Sequence, residues 1–121
     1  MIYKIGMLCK HFKGESLEDK NIYRIIKLGV EGKDINTNEI TYTGDAELKA
    51  ASNLVVYANV FQNNKLFARE YEDISSELTP EKQCQFKQII KVQPLNEEEL
   101  AIVKSEKFIR TKEIQTMEKF Q

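Results

Sequence analysis

Eight consecutive residues, Leu54-Val55-Val56-Tyr57-Ala58-Asn59-Val60-Phe61, are almost all apolar. The run is too short for a helix of ordinary length and is rich in β-branched and aromatic side chains. It therefore reads as an interior strand covered on both faces. Gln62-Asn63-Asn64-Lys65 then reads as a hairpin loop, and Leu66 to Tyr71 returns as the partner strand. On that partner, Leu66, Ala68 and Glu70 fall on one face and Phe67, Arg69 and Tyr71 on the other.

A hairpin needs more strands beside it to be stable, and the rest of the first half supplies them. Ile2 to Cys9 is apolar with partial alternation, closed by His11-Phe12-Lys13-Gly14 and a polar turn through Lys20. Ile22 to Val30 is dense in β-branched residues between turn residues. Asn36 to Asn38 reads as a turn, Glu39 to Thr43 as a strand ended by Gly44-Asp45, and Ala46 to Ser52 as a short helical turn. Thr79-Pro80-Glu81 opens a loop or helical turn, and Phe86 to Val92 reads as one more strand closed by Pro94.

The pattern then becomes helical. Asn96 can cap a helix whose third residue, Glu99, completes a capping box, and Leu95 and Leu100 sit where a hydrophobic staple places them. The carboxylates of Glu97, Glu98 and Glu99 suit the positive end of the helix dipole. Leu100, Val103 and Phe108 can share an apolar stripe, and Ile114, Met117 and Phe120 repeat at helical spacing. Ile109-Arg110-Thr111 reads as an interruption between two helices. The expected fold is α+β. It is a single domain over residues 1–121, a β-rich antiparallel sheet or barrel over 1–94 followed by a helix-break-helix over 95–121. The length of 121 residues suits one modest core.

Bulk chemistry narrows the function. Eighteen basic residues against nineteen acidic ones give a net charge of −1, too little positive field to hold long nucleic acid. The first residues lack a leader pattern and no stretch reaches the length of a membrane span, so a cytoplasmic, reducing location with free thiols is expected. Cys9, Cys84 and the single histidine, His11, match no zinc spacing. No metal or cofactor is expected. Phosphate-loop and dinucleotide glycine patterns are absent. His11 lies among lysines that disfavour its charged form, and Cys9 alternates with apolar neighbours as a core residue would. The parts of an enzyme are lacking.

Binding has more material. Three of the eighteen basic residues are arginine, and each stands near an aromatic: Tyr23-Arg24, Phe67-Ala68-Arg69 before Tyr71, and Phe108-Ile109-Arg110-Thr111. A guanidinium grips phosphate bidentately, an aromatic face stacks on a base, and a threonine hydroxyl adds one bond. Three such clusters can converge on a nucleotide. Equally, the aromatics can be core with the arginines laid over them.

Gly6 with Lys10-His11-Phe12-Lys13-Gly14, Ile22-Tyr23-Arg24-Ile25-Ile26 and Leu54-Val55-Val56-Tyr57 resemble a family of small bacterial and phage proteins of unknown function with an SH3-like barrel. Phe67-Ala68-Arg69 stands where that family has an aromatic-x-Arg strand. The likeness spans about the first 95 residues, with an insertion around Lys33 to Ala51. The whole chain, with its tail Lys107-Phe108-Ile109-Arg110-Thr111-Lys112, is also similar to the first Thoeris anti-defence family of phages and prophages. That resemblance implies a sponge that sequesters cyclic ADP-ribose isomers, and in some members cyclic oligonucleotides, without cleaving them. It implies a homo-oligomer, from dimer to hexamer, in the host cytoplasm, with ligand held where protomers meet. On that basis Arg110 and Thr111 are expected at the diphosphate. Tyr23 or Phe67 would lie on the adenine, with Arg24 or Arg69 completing the charge balance. Two competing readings are a barrel module that binds protein or RNA, and a small hydrolase using His11 or a carboxylate as base.

Overall fold

Strand β2, Ile22–Lys33, is the axis of the fold. A computed structural model of the chain describes residues 2–33, 40–43 and 53–119. Along β2 pair β1 (Leu8–His11), β3 (Ile40–Thr43) and β4 (Asn53–Asn59), while β5 (Lys65–Glu70) pairs with β4 and β6 (Val92–Pro94) with β1, every pair antiparallel. The order is β5-β4-β2-β1-β6, with β3 beside the far end of β2. Among the described residues β5 and β6 do not pair with each other, so the strands form an open sheet rather than a closed barrel. Among the described residues four α-helices accompany the sheet: α1 (Tyr71–Ile74), α2 (Pro80–Phe86), α3 (Glu97–Val103) and α4 (Glu106–Lys119). The turns expected at Asn36–Asn38 and Gly44-Asp45, the helical turn at Ala46–Ser52, and Phe120 lie outside the described residues.

The apolar run lies where its composition predicts, in the interior strand β4. Its hairpin loop turns on Asn63 and Asn64, both left-handed with φ of 52° and 53°, a conformation asparagine tolerates well. Pleating sorts the side chains to two faces. Cys9, Tyr23, Ile25, Val55, Tyr57 and Val92 form one cluster with Tyr3 and Ile74. Leu8 and Ile22 form the other with Leu95, Val103 and Phe108. One register shift between Ile25 and Lys27 leaves Ile26 as an extra residue in β2, 43% exposed, a β-bulge that bends the strand.

Three expectations fail for local reasons. The strand expected from Ile2 to Cys9 begins only at Leu8, after a turn at Ile5-Gly6 in which Gly6 takes φ of 87°. No strand runs from Phe86 to Val92. Phe86 ends α2, Lys87 turns left-handed at φ 54°, and side chains then take over the backbone bonding. The Gln88 amide donates to the carbonyls of Ile90 (2.8 Å) and Lys91 (3.0 Å), and Gln93 Oε1 accepts from Ile89 N at 2.9 Å. Such bonds displace a ladder, leaving only a bridge of Ile90 to Glu77 and the short β6. The helix break also sits earlier than Ile109–Thr111. Helix α3 stops at Lys104, and Ser105 starts α4 by accepting from Phe108 N at 3.3 Å. Arg110 and Thr111 lie within an unbroken helix, where Thr111 Oγ1 donates to the Lys107 carbonyl at 2.9 Å.

Three buried lysines fasten the helices to the sheet. Lys10 of β1 reaches Glu99 of α3 at 2.5 Å. Glu99 also closes the expected capping box with Asn96, accepting from Asn96 N at 3.2 Å while Asn96 Oδ1 accepts from Glu99 N at 2.8 Å. Lys20 donates to the carbonyls of Phe12, Gly14 and Phe86 at 2.7, 2.7 and 3.0 Å. Lys112 of α4 donates to the Lys20 carbonyl at 2.5 Å. Burying an ammonium is tolerable only with such partners.

Candidate functional site

Adjacent residues of a strand point to opposite faces, so Tyr23 and Arg24 part company. Tyr23 belongs to the first cluster and is 6% exposed. It packs against Tyr57 with centroids 4.7 Å apart and against Phe67 at 5.8 Å. Tyr57 and Phe67 are stacked at 5.6 Å. Burial raises the Tyr23 hydroxyl above its ordinary pKa and pushes Tyr57 up to about 12. Over Phe67 lie Lys65 Nζ at 5.4 Å and the Arg69 guanidinium at 5.9 Å, which also donates to the Ala68 carbonyl at 2.8 Å. The fold thus brings Tyr23, Phe67 and Arg69 together, as an aromatic core with cations laid over its edge. Tyr23 is too deeply buried to offer a face to a base, so the stacking role expected of it is not available to it here.

Arg24 faces the other way. It is exposed, its Nη1 donates to the Gly6 carbonyl at 3.1 Å, and it stands on the wall of a groove of about 790 Å³. The apolar part of this groove comes from Val60 and Phe61 after β4 and from Ile109 and Met117 on α4; Lys104 and the Asn63-Asn64 turn add polar groups. A volume of this order, apolar walls and a few convergent polar groups are what a small-molecule site requires.

A second groove of about 370 Å³ adjoins it, sharing Phe61 and Thr116. Thr116 Oγ1 marks the boundary, 3.0 Å from the Phe61 carbonyl and 2.9 Å from that of Lys112. This smaller groove is lined by Asn59, Gln62 and Gln115, with Asp19, Lys112 and Glu118 around them. Arg110 and Thr111 line neither groove. Of the expected site residues only Arg24 does.

Of the residues weighed for catalysis, His11, Cys9 and Cys84 line neither groove, while carboxylates line both: Asp19 and Glu118 the smaller, Glu113 the larger. His11 packs against Phe12 (4.8 Å) and edge-on to Tyr23 (6.3 Å), and its Nδ1 accepts from Lys13 N at 3.4 Å. Burial, then the charges of Lys13, Lys20 and Lys91, lowers its pKa from 6.5. Cys9 is fully buried and burial pushes its thiol up to about 12, while Cys84 is exposed. Among the described residues no cluster of three or more His, Cys, Asp or Glu is placed to hold a metal, and no helix is long and apolar enough to cross a membrane.

Sequence reasoning missed Phe61, Gln62, Gln115, Thr116 and Met117. Two signals pointed there. The hairpin loop is unusually amide-rich for a turn, and Ile109, Glu113, Thr116 and Met117 recur at the i, i+4, i+7, i+8 spacing of one helix face. Comparison with family models, with curated proteins and with solved structures finds nothing that matches this chain.

Proposed function

We propose that this protein is a phage or prophage anti-defence sponge that binds a cyclic nucleotide signal of the cyclic ADP-ribose class and holds it intact in the host cytoplasm. The observation that carries this reading is the groove beside Arg24. Its volume of about 790 Å³ admits a dinucleotide-sized ring. Arg24 and Lys104 set two cations for a diphosphate against the one carboxylate of Glu113, and Arg24 offers the forked donor geometry that phosphate favours. Ile109, Val60 and Met117 give an apolar bed for a base. His11 stands outside this groove, so the histidine is not placed to act as a base on a ligand held there.

Oligomer formation belongs to the same reading. Ile114 and Met117 on α4 are 56% and 62% exposed, and burying such side chains between protomers is favourable.

The test is incubation of the purified protein with cyclic ADP-ribose isomers, followed by heat denaturation and chromatography of what is released. Intact ligand is expected. So is a prior rise in melting temperature, about 2.7 kcal/mol of added stability at a hundredfold excess over Kd. Arg24→Ala should weaken binding by about tenfold or more, as loss of a charged hydrogen bond does. A cleaved product would make the protein an enzyme. No shift and no depletion would turn attention to a module that binds protein or RNA.

A further inference from the structure

The two grooves differ in chemistry, and the difference reads as a division of labour. The smaller one is poor in free positive charge: the Lys112 ammonium is directed to the Lys20 carbonyl, and Asp19 and Glu118 stand on the same wall. A phosphate would be repelled by those carboxylates. What the groove offers instead is neutral hydrogen bonding. The side-chain amides of Gln62 and Gln115 are half-buried and make no hydrogen bond among the described residues. Each can donate and accept at once. Behind them Asn59 is 2% exposed and held in place, its Oδ1 accepting from Phe61 N at 3.1 Å. The Phe61 ring supplies an apolar surface and is itself backed by Phe108 at 5.7 Å.

We infer that this groove is a sugar site that reads vicinal hydroxyls. Each hydroxyl of a diol both donates and accepts, matching an amide or a carboxylate, and the C–H face of the ring suits Phe61. Phe61 is the one aromatic among the lining residues, and the neutral amides beside it pair with hydroxyls. The inference deepens the sequestration reading and rests on it for the nature of the whole ligand. A ribose in this groove stands across Phe61 and Thr116 from Arg24, so a ribosyl phosphate can reach both sites.

The probes are adenosine and 2′,3′-dideoxyadenosine, titrated into the full chain and followed by side-chain amide resonances. Adenosine is expected to move the Gln62 and Gln115 amide signals, and the dideoxy compound to bind about tenfold more weakly, as loss of paired hydrogen bonds predicts. Gln115→Ala, at a half-buried surface position, should weaken adenosine by a similar factor, whereas Arg110→Ala, exposed and lining neither groove, should leave adenosine unchanged. Equal affinity of the two nucleosides, perturbation confined to the Arg24 groove, or no adenosine binding would each overturn the sugar site. Failure of cyclic ADP-ribose to bind, with the adenosine pattern intact, would remove the sequestration reading and leave the sugar site standing.

Discussion

The turn from His11 to Lys20 and the grooves beside α4 use polar groups in opposite ways. In the turn the buried lysine's donors are consumed internally. The Lys20 ammonium spends its three hydrogens on the carbonyls of Phe12, Gly14 and Phe86 and lies 5.8 Å from the Phe86 ring. Gly14 has φ of 116°, and a Cβ there would meet the Asp19 backbone at 2.8 Å, so only glycine lets the turn close this tightly. Beside α4, by contrast, Gln62 and Gln115 keep their amides unspent and Arg24 stays exposed. The sharpest local motif in the sequence is therefore a structural lock, whereas the groove walls draw on scattered residues, Arg24 and Ile109 from quoted stretches and Gln62 and Gln115 from none.

The strongest way to break this comparison is Lys20→Met. Removing the ammonium strands three carbonyls, two of them at the edge of the protein where water can partly replace it. The expected loss is about 3 kcal/mol, a fall in melting temperature on the order of 10 °C for a domain of this size. Burial pushes the Lys20 ammonium down, to about 8, which still leaves it charged at neutral pH. If thermal denaturation shows K20M within about 1 kcal/mol of the parent, the turn is not a lock.

A smaller effect tests the other wall. Helix α3 positions Lys104 and Val103 at the groove, and its first turn depends on the Asn96–Glu99 capping box. Asn96→Ala should cost about 1 kcal/mol. Because Glu99 also holds Lys10, Glu99→Ala should cost more, leaving a buried ammonium without its carboxylate. Chemical denaturation of the two variants orders them, and a reversed order would mean that the ion pair contributes little.

How much of this was legible follows the range of the interactions. The β4–β5 hairpin and the capping box are written in neighbouring residues, and both were read from them. The Phe86–Val92 segment misled because Ile89-Ile90 has strand composition while the side chains of Gln88 and Gln93 bond the backbone instead. The helix break was misplaced because Ser105 is an unremarkable residue until its hydroxyl is seen to cap Phe108. At the site, nearness in sequence was taken as nearness in space. The pleat of β2 sends Tyr23 and Arg24 to opposite faces, which alternation alone could have told. That Lys10, Lys20 and Lys112 are buried fasteners could not be read at all, since nothing in a lysine's neighbours announces a partner 89, 66 or 92 residues away.

The smallest expected effect concerns His11, which sits at the rim of the lock. Its folded pKa is lowered from 6.5, chiefly by burial and then by Lys13, Lys20 and Lys91, so below 6.5 the unfolded chain binds the proton more readily than the folded one. The sign follows: stability is full above pH 6.5 and falls as pH drops through the lowered folded value. His11→Gln removes that slope. Denaturation at pH 7.5 should then barely separate the variant from the parent, and at pH 5 the variant should be the more resistant of the two. Parallel loss in both proteins would mean that the lysines around the turn do not oppose a charge at His11.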